Sequence, residues 1–142
     1  MVKKSKKVKK VKPFHPELRP TKNLAWSAYS LYIRSKYMFN GTVECYTCGK
    51  LFLIGKISAG HGIPGRTNAV LFMEPVTKPQ CFICNIRRNG YYRVFTPKLI
   101  KELGEKEYDR LALIAQGTLK YTPWEYLEIE QKYLAKLWDL CK

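Results

Sequence analysis

The segments CYTCG at residues 45–49 and QCFICN at residues 80–85 each hold a Cys-x-x-Cys pair, and 32 residues separate the two pairs. Two residues between thiols allow one tight turn to direct both sulfurs at the same tetrahedral ion, and Gly49 suits the backbone reversal after the first pair. Four thiolates complete the coordination shell of zinc, so the predicted metal is structural. The predicted zinc ligands are Cys45, Cys48, Cys81 and Cys84.

Two further polar residues lie within and directly after these pairs. SAGHGIPGR at residues 58–66 holds His61, one of only two histidines, and Asn85 directly follows the last zinc ligand. Hydrolysis of a phosphodiester needs a base to activate water and a cation to neutralise the developing charge. The ordinary pKa of histidine, about 6.5, suits the base. We therefore predict that His61 is the general base, that Asn85 binds a catalytic Mg²⁺ or Mn²⁺, and that the glycines beside His61 leave room for a phosphate. The alternative is a hydrogen-bonded structural histidine.

The surrounding sequence predicts an α+β fold with one domain over residues 24–142. Short β-prone pieces broken by Gly, Pro and Asn predict a zinc-stapled hairpin core over residues 43–90. Apolar residues three or four apart predict an N-terminal helix over residues 24–40 and a helical C-terminal part, with about three helices, over residues 96–142.

Local signals place the starts of the C-terminal helices. Thr96 and Pro97 provide an N-cap and a first helical residue, and Thr122-Pro123-x-Glu125 forms a capping box for the last helix. The apolar stripes of that last helix are predicted to be core, and Cys141 near its end is predicted to be a free buried thiol. These stripes contain Tyr126, Leu127, Tyr133, Leu134, Leu137 and Trp138.

The charge of the chain predicts a polyanionic partner. The formal net charge is +15, and residues 1–23 are predicted to be a basic, disordered arm. Nucleic acid is favoured over a membrane, because no amphipathic basic helix lies near the arm and no apolar run approaches a membrane span. With no signal-peptide pattern, we expect an intracellular protein that is not secreted. The predicted phosphate contacts are Arg66, Arg87, Arg88 and the arm lysines Lys3, Lys4, Lys6, Lys7, Lys9, Lys10 and Lys12.

The order of these motifs resembles a known family. Cys-x-x-Cys-Gly, Ala-Gly-His, Gln-Cys-x-x-Cys-Asn and Asn-Gly follow one another as in the phage recombination endonucleases of the NinG/Rap family, within the HNH or His-Me finger superfamily. AWSAYSLYIRSKY, YRVFTPKLIKELG and KYTPWEYLEIEQKYLAKLWDL resemble that family's flanking helices, so the resemblance covers residues 24–142. It implies a ββα-metal core with zinc outside the catalytic centre, His61 as the base and Asn85 as the last metal ligand, as in resolvases of the endonuclease VII type. A phage-encoded protein would act in the cytoplasm of the infected host cell.

Two positions depart from the superfamily pattern. The residue before the catalytic histidine, often a second metal ligand, is Gly60, and the middle Asn that braces the hairpin falls on Val76. The family's stretch Leu-Arg-Phe-Asp-Glu-x-Asn reads VLFMEPV over residues 70–76 here, so Glu74 is the one polar residue of that stretch that remains. It is either a second ligand of the catalytic cation or a solvated side chain.

The sequence therefore leaves two functions to compare. The first is a metal-dependent DNA endonuclease, and the resemblance implies branched or recombination-intermediate DNA as its substrate. The second is a degenerate, non-catalytic zinc-ribbon protein that binds nucleic acid; RNA as the substrate is a third, smaller alternative. Cutting two strands of a junction would suit a homodimer, although no exposed heptad that would specify one is evident.

Overall fold

The computed structural model describes residues 21–65 and 67–142. The arm over residues 1–20, with its seven lysines, and Arg66 lie outside the described residues, so the contacts predicted for them stay predictions. The described chain contains both helices and strands. The helices are α1 (Thr21–Lys36), α2 (Asn68–Leu71), α3 (Tyr92–Leu103), α4 (Glu105–Ala115) and α5 (Pro123–Leu140), and the strands are β1 (Met38–Phe39), β2 (Thr42–Glu44), β3 (Leu51–Leu53), β4 (Ile57–His61) and β5 (Thr77–Cys81).

Two small antiparallel sheets form the centre of the protein, which confirms the α+β class. β1, β2 and β3 form one sheet in that order, and β4 pairs with β5 in the other. In the second sheet Ile57 lies opposite Cys81 and His61 lies opposite Thr77. A single π-helical turn, Ile83–Arg87, follows β5 almost directly. The order of this central unit is therefore strand, strand, helical turn.

The N-terminal helix is displaced from its predicted bounds of 24–40. α1 begins at Thr21, so residues 21–23 belong to the helix and not to the arm, and it ends at Lys36. Asn40 and Gly41 adopt positive φ angles of 50° and 77°, which reverse the chain so that Met38 pairs with Val43. The asparagine and glycine thus form a hairpin turn and not a helix end.

The predicted start at Thr96 is wrong, whereas the capping box is confirmed. α3 begins at Tyr92, and the Thr96 hydroxyl donates to the carbonyl of Gly62 at 3.2 Å, so Thr96 ties the helix to the end of β4. Pro97 lies inside α3, where it removes one backbone hydrogen bond. At α5, the N–H of Glu125 donates to the Thr122 hydroxyl, and the Glu125 carboxylate accepts from the N–H of Thr122.

The core is built from both sheets and the helices around them. α1 packs along α5, where Tyr29, Ile33 and Tyr133 are buried with Ala59 of β4. A second cluster places Phe95 and Leu99 of α3 against α4 and the segment after β4. None of the described helices combines the length and apolar content needed to cross a membrane.

One of the two α5 stripes predicted as core is exposed. Tyr133 on the inner stripe is only 2% exposed, whereas Leu134 and Trp138 on the outer stripe are 50% and 69% exposed. Cys141 is free, as predicted, but it is exposed and not buried. The helical period therefore predicted α5 correctly, but not which face the protein covers.

Candidate metal centre and active site

The four predicted cysteines form a cluster that can bind a structural metal such as zinc. Cys45 and Cys48 flank the turn between β2 and β3, Cys81 ends β5, and Cys84 lies in the π-helical turn. All four sulfurs lie within 4.8 Å of one another, and those of Cys48 and Cys81 are 3.9 Å apart. Tetrahedral Zn²⁺ with Zn–S bonds of about 2.3 Å needs sulfurs roughly 3.8 Å apart. Bound zinc would join the turn after β2 to the end of β5.

The environment of the cluster favours one thiolate before any metal binds. Burial opposes ionisation of Cys45, but hydrogen bonds from the Thr47 hydroxyl and the backbone N–H of Cys81 lower its pKa to about 6. Burial raises the pKa of Cys84 to about 12. A bound metal would therefore displace the protons of the thiols with higher pKa values, such as Cys84. The affinity for the metal should for this reason depend on pH.

His61 and Asn85 line the same cavity, which has a volume of about 690 Å³. His61 is the last residue of β4, and Asn85 lies in the π-helical turn directly after Cys84. The two residues are 24 positions apart in sequence, and both are half-buried. The fold thus brings together the predicted base and the predicted cation ligand.

Asn85 is held by a short chain of hydrogen bonds to β4. Its Nδ2 donates to the Ser58 hydroxyl at 3.1 Å, and that hydroxyl donates to the carbonyl of Gln80 on β5 at 2.9 Å. The carbonyl of Asn85 accepts from the N–H of Gly90 at 2.9 Å. Because the amide nitrogen is engaged by Ser58, the amide oxygen is the atom available to bind a cation.

His61 is braced by a backbone carbonyl and by an aromatic ring. Its Nε2 lies 3.0 Å from the carbonyl oxygen of Leu71, and its ring stacks on Trp26 with 5.5 Å between centroids. A carbonyl only accepts, so Nε2 carries the proton of the neutral imidazole and Nδ1 carries the lone pair. Val76, where the resemblance to the His-Me finger superfamily would place a bracing Asn, is fully buried in the core. The Leu71 carbonyl and Trp26 therefore orient His61 here.

The glycines beside His61 serve packing, which corrects the prediction that they leave room for a phosphate. A Cβ on Gly60 would overlap the side chain of Gln80, and one on Gly62 would overlap Phe95 and Leu99. Position 60, where the resemblance would place a second metal ligand, therefore cannot carry a side chain in this protein unless its neighbours move.

Glu74 was predicted to be a second cation ligand or a solvated side chain. In the structure it is neither, because two side chains of α5 engage its carboxylate. Its Oε1 accepts from the Tyr133 hydroxyl at 2.9 Å and from Nζ of Lys136 at 2.6 Å, and it does not line the cavity. Burial opposes ionisation of Glu74, but the hydrogen bonds from Lys136 and Tyr133 lower its pKa. Glu74 thus anchors α5 to the segment before β5.

Arg87 and Arg88 are exposed on the π-helical turn beside the cavity without lining it. The guanidinium of Arg88 lies 4.5 Å from the ring centroid of Tyr91, and that of Arg87 lies 6.0 Å from the ring of Phe82. Arg87 ends the turn that carries Asn85, and Arg88 follows it directly. Their predicted phosphate contacts stay predictions.

Sequence reasoning missed several residues of the cavity wall. Lys22, Trp26, Ser58, Asn89 and Tyr92 all contribute to it. Trp26 lies among the apolar residues that predict the N-terminal helix, and Ser58 begins the glycine-rich segment 58–66, so neither residue carries a sequence signal for the cavity. None of the residues found lining the cavity in the described part of the chain is a carboxylate. The donor set thus suits a cation only if substrate phosphate supplies further oxygens, as Mg²⁺ sites commonly require.

Comparison with known families agrees with the motif order. Residues 2–142 match the family described as Bacteriophage Lambda NinG protein. The chain belongs to the NinG family. The NinG match contains both cysteine pairs, His61 and Asn85, and it also includes most of the basic arm, which the resemblance had left outside. Neither the curated proteins nor the solved structures contain a match to the chain.

Proposed function

We propose that this NinG-family protein is a metal-dependent endonuclease that hydrolyses phosphodiester bonds in DNA, on branched or recombination-intermediate substrates. The observation that supports this most is the shared cavity of His61 and Asn85. A base and a cation ligand reach one concave site from β4 and from the helical turn that follows its partner strand β5. That combination is what phosphodiester hydrolysis requires.

The order of the elements around the cavity supports assignment to the His-Me finger superfamily. β4 carries His61, β5 pairs with it, and the helical turn after β5 carries Asn85. The cysteine cluster lies next to Asn85 but contributes no residue to the cavity wall. Zinc in this proposal fixes the start of the turn and takes no part in the reaction.

In the proposed reaction, side chains of this protein take part in one proton transfer, from water to His61. Nδ1 of His61 accepts a proton from water, and the resulting hydroxide attacks phosphorus. The bond between phosphorus and the 3′ oxygen breaks, which leaves a 5′-phosphate and a 3′-hydroxyl after the departing oxygen is protonated. A cation on the Asn85 amide oxygen would neutralise charge on the phosphate and on that oxygen. Trp26 and the Leu71 carbonyl hold the imidazole in one orientation for this step.

DNA binding in this proposal rests on charge around the cavity and along the arm. Lys22 lines the cavity, Arg87 and Arg88 are exposed beside it, and Arg66 and the seven arm lysines add positive charge. Such contacts give sequence-independent affinity that falls with salt. Membership of a phage family makes the cytoplasm of the infected host cell the proposed place of action.

The proposal is tested by cleavage of supercoiled plasmid, linear duplex and a four-way junction, each with Mg²⁺, with Mn²⁺ and with chelator. We expect cation-dependent cleavage that His61→Ala and Asn85→Ala each reduce by at least about 100-fold. His15→Ala, which removes the other imidazole, is the matched control. Each variant is first checked for zinc content, near-UV CD and binding of the same junction.

A non-catalytic nucleic-acid-binding protein is the second candidate, and the lack of a carboxylate among the described cavity residues favours it. On this reading DNA is bound but stays intact with either cation, and His61→Ala changes nothing. That outcome would reject the endonuclease. Cleavage of a single-stranded or structured RNA in preference to all three DNAs would instead assign the activity to RNA.

A further inference from the structure

The outer face of α5 carries an exposed apolar seam. Trp124, Leu134 and Trp138 are 68%, 50% and 69% exposed, although all three are large apolar side chains. Two exposed tryptophans on one helix are unusual, because each leaves on the order of 150 Å² of mostly apolar surface in water. The inner face of the same helix, through Tyr133, is already covered by α1.

The seam has the spacing of a coiled coil, which corrects the expectation that the chain exposes no heptad. Its residues follow one another at alternating intervals of three and four, which is the a and d pattern of a heptad repeat. The pattern extends over most of α5, a helix about 27 Å long, for about two and a half heptads. The seam residues are Trp124, Leu127, Gln131, Leu134, Trp138 and Cys141.

The charge of the chain indicates which surface a second copy can approach. Residues 105–142 contain seven acidic and six basic side chains, a net charge of −1, whereas residues 1–104 carry +16. Two copies that met through the basic part would repel each other, whereas the C-terminal helices approach without that repulsion.

The distribution of charge along α5 also indicates an orientation. The first half of the helix has three acidic side chains, Glu125, Glu128 and Glu130, and no basic one. The second half, with the following Lys142, has three lysines and one aspartate. Lys136 is paired with Glu74 of the same chain, so Lys132 and Lys142 are the exposed lysines that a second copy can meet. An antiparallel pair places the acidic half of one helix against the basic half of the other, and it also opposes the helix dipoles favourably.

We propose that the outer face of α5 is a homodimer interface, in which two copies form a short antiparallel coiled coil. Residues 124 and 141 then face each other across the interface, as do residues 127 and 138, and residues 131 and 134. A seam of about two and a half heptads makes a small interface, so we expect the dimer to exchange with monomer at micromolar concentration. The dimer is independent of the endonuclease activity, although it would place two cavities on one particle.

The first test is sedimentation velocity of the full, zinc-loaded chain across a range of micromolar concentrations. We expect a concentration-dependent dimer that Trp138→Glu converts to monomer. Leu113→Glu is the matched control, because Leu113 on α4 is also 69% exposed but lies outside the seam. A wild-type chain that stays monomeric, or equal effects of the two substitutions, would overturn the interface.

The second test determines the orientation through the exposed Cys141. Trp124→Cys places a thiol opposite Cys141 of the second copy, so mild oxidation should give a covalent dimer, and adding Cys141→Ser should abolish it. Wild type should give no such product, because its two Cys141 thiols lie at opposite ends of the pair. A disulfide between two wild-type Cys141 residues would show a parallel pair and reject the antiparallel arrangement.

Discussion

Nε2 of His61 lies 3.0 Å from the carbonyl oxygen of Leu71, which belongs to the short helix α2 in the segment between β4 and β5. Val76, where the resemblance would place a bracing Asn, is buried in the core, and its side chain has no hydrogen-bonding atom. The backbone carbonyl of Leu71 thus supplies a hydrogen bond to His61 that a valine at position 76 cannot make. The indole of Trp26 stacks on the imidazole of His61 and restricts its orientation further.

Replacing Trp26 tests this positioning. Trp26→Leu should lower kcat for DNA cleavage by about 10- to 100-fold, because a misplaced base loses the in-line geometry, while KM changes little. Trp26→Phe, which keeps an aromatic ring, should restore most of kcat. The check is steady-state cleavage of a labelled junction. A Trp26→Leu variant whose KM alone rises would assign Trp26 to DNA binding.

Ser58 is expected to act through Asn85. Ser58→Ala removes the hydroxyl that accepts from Nδ2 of Asn85, so the amide loses its fixed orientation toward the cavity. We expect the Mg²⁺ concentration for half-maximal cleavage to rise about tenfold, with the maximal rate less affected. Ser27→Ala is a control on α1, because Ser27 is exposed and does not line the cavity. An unchanged Mg²⁺ dependence in Ser58→Ala would separate Ser58 from cation binding.

Roles that depend on a short stretch of sequence could be predicted, whereas roles that depend on which distant elements cover a side chain could not. Cys-x-x-Cys spacing and the Thr122 capping box are short-range patterns, so each appears in the structure as predicted. Trp26 and Trp138 both fit a helical stripe, yet one lines a cavity and the other is exposed. A single sequence gives the period of a stripe but not what covers it, since that depends on distant elements.

Gly60 is a further residue whose role depends on a distant side chain, and stability measurements can test that role. Gly60→Ala puts a Cβ into the buried side chain of Gln80, and we expect it to lower the free energy of unfolding by about 1–3 kcal/mol. Gly55→Ala is the matched control, because nothing lies within 4 Å of the added Cβ there. Urea unfolding of both variants gives the comparison. Equal stabilities would show that Gln80 moves away without cost.

Removal of zinc should unfold the centre of the protein. β2 and β3 have three residues each and β4 and β5 have five, so these strands bury too little surface to hold together without the metal. Chelation should abolish the near-UV CD signal and the protection of β4 and β5 amides from hydrogen exchange, and added Zn²⁺ should restore both. The expected content is one zinc per chain. Full amide protection after complete removal would contradict a structural role.

The ion pair of Lys78 and Glu102 should make stability depend on pH. Nζ of Lys78 donates to Oε1 of Glu102 at 2.6 Å, and the lysine side chain is only 4% exposed. Burial alone would raise the pKa of Glu102, but hydrogen bonds from Lys78 and Tyr46 lower it below 4.5. Burial likewise opposes the charge on Lys78, but Glu102 and Tyr37 raise its pKa above 10.5.

The signs of these two shifts define the pH window. A lowered carboxyl pKa contributes stability that is complete above pH 4.5 and is lost as the pH falls through the folded value. A raised lysine pKa contributes stability that is complete below pH 10.5 and is lost as the pH rises through the folded value. The pair should therefore stabilise the protein fully between these limits.

Glu102→Gln separates this effect from loss of zinc, which acid also promotes. At pH 7 the variant should be less stable by about 1–3 kcal/mol, because it leaves the buried Lys78 ammonium without its carboxylate, although the exposure of Glu102 moderates the cost. The difference from wild type should shrink as the pH falls below 4.5, where the wild-type carboxylate is protonated too. Glu107→Gln on α4, whose Arg110 partner is exposed, is the control and should change stability little. A wild-type advantage that persists unchanged to pH 3 would mean that the charge of Glu102 is not its source.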